Sequence, residues 1–231
     1  MEAIILCGGL ATRLGDLTKD TPKAMMPVAG KPVLAHQIDM LKPAGVTRVV
    51  LAVGHLHEKI RAFTGTHYDG VDVDFAQEDK RLDTGGAIAY AMTRLRNDEP
   101  FFTLNGDVLC DVDTAAMKAK LPPRAAGILL GVLVDDVSPD GEILADGDRV
   151  LSFVEKRPEK RPGIINGGVY LFQPGIQAYF PKREVFSVER DVFPFVRDLR
   201  VFVARVRWID VGTPERLEAA ARIFVDRGAD A

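Results

Sequence analysis

Met1-Glu2-Ala3-Ile4-Ile5-Leu6-Cys7-Gly8-Gly9-Leu10-Ala11-Thr12-Arg13-Leu14 opens the chain, and after a polar stretch comes Pro22-Lys23-Ala24-Met25-Met26-Pro27. Residues 3–6 are short, apolar and partly β-branched, which predicts a strand covered on both faces, as in a parallel sheet. The strand runs into Gly8-Gly9. Without side chains, these residues let backbone N–H groups come close to a phosphate. Arg13 adds a planar fork of donors, and Lys23, held between prolines, adds a compact positive charge. The loop is neither a Walker A sequence, since no Gly-Lys-Ser/Thr follows, nor a G-x-G-x-x-G fingerprint. On its own the glycine pair reads equally well as a structural turn. Two cations returning to the same strand end favour a loop that wraps phosphates.

Working outward, Pro32 predicts a helix start with Leu34, Ile38 and Leu41 on one side and Gly45 closing the unit. Val46–Val53 reads as a second strand, and His57–Phe63 as a short helix closed by Gly65. Val71–Phe75 alternates as a strand with one wetter face. Gly85–Leu95 reads as a helix and Phe101–Leu104 as a fourth strand running into Asn105-Gly106-Asp107. This alternation predicts an α/β fold with a doubly wound, mostly parallel, Rossmann-like sheet and right-handed crossovers. The second half adds predicted strands at Ala126–Val134, Val150–Glu155, Ile164–Phe172 and Val201–Trp208, which read as a small β-rich lobe. Asp135–Asp148 reads as turns. Ser187 is the expected cap of a helix through Val196, weakened by Pro194. Thr213-Pro214-Glu215 starts a last helix with Leu217, Ala220, Ala221 and Phe224 as its buried stripe. The division expected is a single domain over 1–231, in two halves over about 1–110 and about 111–231.

The chain has 231 residues, 47% hydrophobic and 27% charged, enough for a sizeable core. Its formal net charge of −3 argues against nucleic acid as the main partner. No signal peptide and no apolar run of membrane-spanning length is read, so the expectation is a cytoplasmic protein with no membrane partner. The only cysteines, Cys7 and Cys110, read as packing residues in a reduced protein. His36, His55, His57 and His67 read as core or surface residues, and no His, Ser or Cys is expected to act as a nucleophile.

Leu6-Cys7-Gly8-Gly9, then Arg13-Leu14, then Thr21-Pro22-Lys23-Ala24-Met25-Met26-Pro27-Val28 resembles the signature of sugar-1-phosphate nucleotidyltransferases. The resemblance runs on in order through Leu82-Asp83-Thr84-Gly85-Gly86-Ala87, Leu104-Asn105-Gly106-Asp107, Val154-Glu155-Lys156, Ile165-Asn166-Gly167-Gly168-Val169-Tyr170 and Trp208-Ile209-Asp210-Val211-Gly212-Thr213-Pro214. It implies transfer of a nucleoside monophosphate from a nucleoside triphosphate to a sugar 1-phosphate, with pyrophosphate released. Catalytic roles fall on Arg13, Lys23 and Asp107. Nucleotide binding falls on Leu6, Cys7, Gly8, Gly9, Arg13, Lys23, Gln77, Thr84, Gly85, Gly86 and Asp107, with Gln77 reading the base. Asn105, Glu155, Lys156, Asn166 and Gly168 are implied for the sugar phosphate, and Asp107 and Asp210 for Mg²⁺. Two carboxylates suit that ion, which keeps waters and binds through few protein oxygens. A phosphate nucleophile is already ionised near neutral pH, so no general base is required, and catalysis rests on positioning and charge stabilisation.

Within the family, Phe186-Ser187-Val188-Glu189-Arg190-Asp191, Ile165-Asn166-Gly167-Gly168 and the short chain together look most like D-glycero-α-D-manno-heptose 1-phosphate guanylyltransferases, which make GDP-heptose for cell-surface polysaccharide. Mannose-1-phosphate guanylyltransferases, N-acetylmuramate-1-phosphate uridylyltransferases and glucose-1-phosphate thymidylyltransferases remain alternatives. Asp83 stands where the wider family has glycine, which leaves the base open. A catalytically silent, nucleotide-sensing homologue is expected to have lost Arg13, Lys23, Asp107 or Asp210, and all four are present. A Rossmann-type oxidoreductase lacks support without its glycine fingerprint. The oligomeric state stays open, with a homodimer as the prior expectation.

Overall fold

The computed structural model describes residues 1–9 and 12–225. In chain order the first half holds β1 (Glu2–Leu6), β2 (Pro27–Val28), β3 (Lys31–Pro32), α1 (Val33–Leu41), β4 (Arg48–Val53), α2 (His57–Thr64), β5 (His67–Tyr68), β6 (Val71–Gln77), α3 (Asp83–Met92) and β7 (Phe101–Asn105). The second half holds β8 (Val108–Cys110), α4 (Thr114–Ala119), β9 (Gly127–Val134), β10 (Glu142–Asp146), β11 (Arg149–Val154), β12 (Gly163–Phe172), α5 (Val188–Asp191), β13 (Leu199–Ala204), β14 (Trp208–Asp210) and α6 (Pro214–Phe224).

One 10-stranded sheet in the order β10-β11-β13-β9-β12-β7-β1-β4-β6-β5 carries the fold. β1 lies between β7 and β4 and is parallel to both, and β4 is parallel to β6. Traced through all the pairings, β1, β4, β6, β7, β9, β10 and β13 run one way, and β5, β11 and β12 run against them. Alternation along β1 sends side chains to opposite faces. Ala3 and Ile5 pack with Leu34 and Ile38 of α1, Ile60 of α2 and Met117 of α4. Ile4 packs with Ala87 and Ile88 of α3 and Val188 of α5. Helices therefore cover both faces, as the alternating sequence pattern predicts for a doubly wound sheet.

A buried ion network pins the start of this sheet. Arg48 of β4 pairs with Glu2 of β1 and donates to Asp74 of β6 at 2.6 Å. Glu2 also accepts from the Arg96 amide at 2.8 Å. Three parallel strands and the loop after α3 thus meet at one charge cluster, at the end of the sheet away from the glycine loop.

The second half departs from the sequence reading in three places. The stretch read as turns contains β10, which pairs with β11 across Asp146-Gly147-Asp148, with Gly147 at φ 57°. This hairpin joins the sheet through the single pairing Arg149↔Arg200 and forms the β-rich outgrowth at the edge. Val201–Trp208 is not one strand: β13 ends at Ala204, and β14 pairs antiparallel with β8 in a separate ribbon. The helix expected from Ser187 to Val196 stops at Asp191, because Pro194 lacks an amide hydrogen, and a 3-10 turn over Phe193–Phe195 follows. Ser187 does cap it, accepting from the Arg190 amide. Thr213 caps α6 in the same way, accepting from the Arg216 amide. β12 runs through Gly167-Gly168 with a shift of register between Asn166 and Tyr170, and Gly168 sits at φ 68°.

Candidate active site

The C-terminal ends of β1, β4, β6 and β7 all point one way, and parallel sheets of this kind bind ligands in the crevice beyond those ends. A cleft of about 420 Å³ lies there. Leu6, Cys7, Gly8 and Gly9 form one wall, Thr84 a second, and Asn105, Gly106 and Asp107 a third. Gly106 is required by space, because a Cβ would overlap the Leu6 carbonyl that accepts from the Gly106 amide. Gly8 is pressed against the next strand end, with a Cβ there lying 3.5 Å from the Gly54 amide nitrogen. Cys7 is buried, its amide donates to the Ala52 carbonyl at 2.7 Å, and burial pushes its thiol up to about 12. It is a packing residue.

Arg13 and Lys23 both reach this cleft. Lys23 sits in a 3-10 turn entered from the extended Pro22, which fixes its exit direction, and its ammonium pairs with the Asp107 carboxylate. Among the described residues Arg13 makes no ion pair, and its guanidinium lies against Gly212, where a Cβ would come 3.2 Å from Nη2. The ribbon of β8 and β14 brings the two aspartates onto adjoining strand ends. Asp107 precedes β8 and Asp210 ends β14, and the Val211 amide donates to the Asp107 carbonyl at 2.8 Å. Asp210 accepts from the Gly212 amide at 3.0 Å and pairs with Arg216 of α6. Two carboxylates offer the hard oxygens that Mg²⁺ takes. Among the described residues no third His, Cys, Asp or Glu joins them, so the remaining coordination would come from phosphate and water.

Not every residue singled out from the sequence lines this cleft. Gln77 is exposed at the end of β6 and faces the neighbouring cavity. The cleft instead takes its neighbour, Glu78. Gly85 and Gly86 are buried, and both amides donate to the Phe186 carbonyl, at 2.9 and 3.2 Å. They fasten α3 to the 184–186 segment. Thr84 donates its hydroxyl to Glu189 at 2.6 Å and accepts from the Val188 amide, which extends the fastening to α5. Asn105, Asn166 and Gly168 meet at Tyr170. Asn166 donates to the Tyr170 hydroxyl at 3.0 Å, and a Cβ on Gly168 would come 3.0 Å from Asn105 Nδ2. Burial holds the Tyr170 phenol well above its ordinary range. Glu155 and Lys156 follow β11, exposed and outside the cleft lining.

Glu78 and Arg81, to which the sequence assigns no role, line the cleft, together with Asp83 and Gly212, which the sequence shows only as parts of motifs. Asp83 takes a left-handed backbone, φ 61°, and its carboxylate accepts from Arg190 at 3.0 Å and from the Thr84 amide at 2.8 Å. Arg81 and Arg13 remain as cations without an ion pair among the described residues. Glu78 is the half-buried carboxylate of the site. Burial pushes its carboxyl above the usual range, against the pull of the Leu82 amide at 3.3 Å and the nearby Arg81. A glycine-lined crevice at parallel strand ends, holding Lys23 and Arg13, suits a polyphosphate.

Residues 2–226 match the nucleotidyl transferase family. The chain belongs to that family. The D-glycero-α-D-manno-heptose 1-phosphate guanylyltransferase of Campylobacter jejuni subsp. jejuni is 38% identical to it over 173 residues, 74% of this chain and 75% of the relative. A mannose-1-phosphate guanylyltransferase catalytic subunit beta of Danio rerio is 36% identical over 182 residues and 76% of this chain, which spans about half, 51%, of that longer relative. The crystal structure of HddC from Yersinia pseudotuberculosis complexed with GMP-PN superposes with a TM-score of 0.82 at 33% identity, over 96% of this chain and 99% of that one. The motif resemblance to sugar-1-phosphate nucleotidyltransferases, and to the heptose 1-phosphate guanylyltransferases among them, is borne out. Among the described residues no helix of this nucleotidyl transferase is long and apolar enough to cross a membrane.

Proposed function

We propose that this nucleotidyl transferase moves GMP from GTP to D-glycero-α-D-manno-heptose 1-phosphate and releases pyrophosphate. One observation supports the choice of base: Glu78, its carboxyl raised by burial, lines the cleft, while the other two carboxylates there, Asp107 and Asp83, are paired with Lys23 and Arg190. A phosphate would be repelled there, so Glu78 faces the part of the ligand that donates hydrogen bonds. Guanine presents two adjacent in-plane donors, N1–H and the 2-amino group, which match the two oxygens of a carboxylate. The named activity of the Campylobacter and Danio relatives, and the guanine nucleotide in the Yersinia structure, support the same reading.

In this reading the residues before about 110 hold the nucleotide, and those after it hold the sugar phosphate. The sugar phosphate oxygen forms the new bond to the α-phosphorus, and the bond from that phosphorus to the pyrophosphate oxygen breaks. Lys23 leaves Asp107 for the α-phosphate and stabilises the charge that develops there. Arg13, without an ion pair among the described residues, holds the departing pyrophosphate, and Lys156 holds the sugar phosphate. Asp107 and Asp210 would bind Mg²⁺, whose charge offsets the repulsion between the two phosphates. Glu155 and Asn166 meet sugar hydroxyls.

The test compares GTP with ITP, which lacks the 2-amino group, in wild type and Glu78→Gln. Wild type is expected to prefer GTP by about tenfold to a hundredfold in kcat/KM, the discrimination of a bidentate contact. Glu78→Gln is expected to bring that ratio close to one. A variant that keeps the wild-type ratio would remove Glu78 from base recognition.

A further inference from the structure

Arg216 stands where three parts of the site meet. It lies in the first turn of α6, behind the Thr213 cap. One guanidinium nitrogen pairs with Asp210, and the other reaches Asp140 Oδ1 at 3.3 Å. All three side chains are largely shielded, with exposures of 32% for Arg216, 16% for Asp210 and 21% for Asp140. Asp140 belongs to the turn that leads into β10. Its neighbour Gly141 takes φ 79°, and the Gly141 amide donates to the Val137 carbonyl at 3.0 Å. That turn supports the end of β11: a Cβ on Gly141 would come 2.9 Å from the Val154 carbonyl and 3.7 Å from the Lys156 amide nitrogen. A single guanidinium therefore connects Asp210, which holds the cleft residue Gly212, to the turn on which the backbone of residues 154–156 rests.

We infer that Arg216 is a positioning residue, coupling Asp210 to the sugar-phosphate loop through Asp140 and Gly141. This rests on the transferase reading for the role of Lys156, while the bridge itself is a property of the protein without substrate. The hairpin is held to the main sheet by the Arg149↔Arg200 pairing, by the Val201 amide donating to the Asp148 carbonyl at 2.7 Å and by the Arg200–Asp148 and Arg161–Glu142 ion pairs, and Arg216 adds the contact that ties the angle of its Asp140 turn to α6. A guanidinium with two carboxylate partners sets that angle, because its planar fork holds both in a defined geometry. Lysine, with a single point charge, does not hold both at once. The loop carrying Lys156 is then registered against the same aspartate expected to take the metal, so the two phosphates arrive at a fixed separation.

Hydrogen exchange in the substrate-free protein and steady-state kinetics test this together. Arg216→Met, Asp140→Asn and the double variant are compared with wild type. Each single variant is expected to speed exchange of the Gly141 amide and raise the KM for D-glycero-α-D-manno-heptose 1-phosphate by about fivefold, the effect of one partly exposed ion pair. The KM for GTP is expected to stay within about twofold, and the double variant to be no worse than either single one. Arg216→Lys is expected to restore less than half of the loss. Unchanged Gly141 exchange, additive effects in the double variant, or an equal rise in both KM values would overturn the bridge. If Arg216→Met does not fold, Asp140→Asn carries the same two readouts. Should no nucleotide and sugar phosphate pair turn over, the exchange result still decides the bridge, while the transferase reading falls separately.

Discussion

Gly86→Ala puts the fastening between α3 and the 184–186 segment under strain. The new Cβ would overlap the Glu184 carbonyl and come 3.0 Å from the Leu82 Cβ. The first of these is backbone and does not swing aside like a side-chain end. Forced overpacking costs about 1–3 kcal/mol. Displacing the 3.2 Å bond from the Gly86 amide to Phe186 costs about 0.5–1.5 kcal/mol more. Alanine in place of glycine inside a helix returns about 1 kcal/mol. The balance is a loss of about 2 kcal/mol, which for a chain of this size lowers Tm by about 4–8 °C. The emission of the single tryptophan, Trp208, reports unfolding in urea and on heating. Because Thr84 and α5 are tied to the same turn, the KM for GTP is expected to rise as well. A variant as stable as wild type, or more stable, would refute the packing role given to Gly86.

Arg48→Met leaves Glu2 buried without its cation and is expected to cost about 3–5 kcal/mol, read from urea denaturation with activity unchanged in the folded fraction. Lys23→Met is expected to lower kcat/KM by about 10²–10³-fold, measured by pyrophosphate release, since it removes a positioned charge from the reacting phosphate. Cys7, with its thiol pushed up to about 12, is expected to resist thiol reagents in the native protein at pH 8 and to react once unfolded. The same shift has a sign in stability: the unfolded thiol ionises near its ordinary 9.0 and the folded one does not. The Cys7 contribution is therefore full below pH 9 and is lost as pH rises toward 12, a trend that Cys7→Ala should lack.

What could be read in the sequence was what repeats locally. β1, β4, β6 and β7 are apolar runs with helices between them, and periodicity and glycines suffice to place them. The phosphate loop was legible because Gly8, Gly9, Arg13 and Lys23 lie within one short stretch. β10 was missed because Glu142–Asp146 is short and sits among Asp-Gly pairs, although Asp146-Gly147-Asp148 is itself a hairpin signal. The ribbon of β8 and β14 joins residues about a hundred positions apart, and no local pattern announces that pairing. Gln77 ends β6 and Glu78 follows it, and only the folded chain shows that Glu78 is the one lining the cleft. Arg216 carries no motif. Its partners, Asp140 and Asp210, come from separate parts of the chain, and only the packing of α6 brings the three together.

The most direct test is pyrophosphate release with GTP, ATP, UTP and dTTP, each paired with D-glycero-α-D-manno-heptose 1-phosphate, mannose 1-phosphate, N-acetylmuramate 1-phosphate and glucose 1-phosphate in the presence of Mg²⁺. GTP with the heptose 1-phosphate is expected to give the highest kcat/KM. Preference for UTP or dTTP would contradict the guanine reading of Glu78, and no turnover with any pair would contradict the transferase itself.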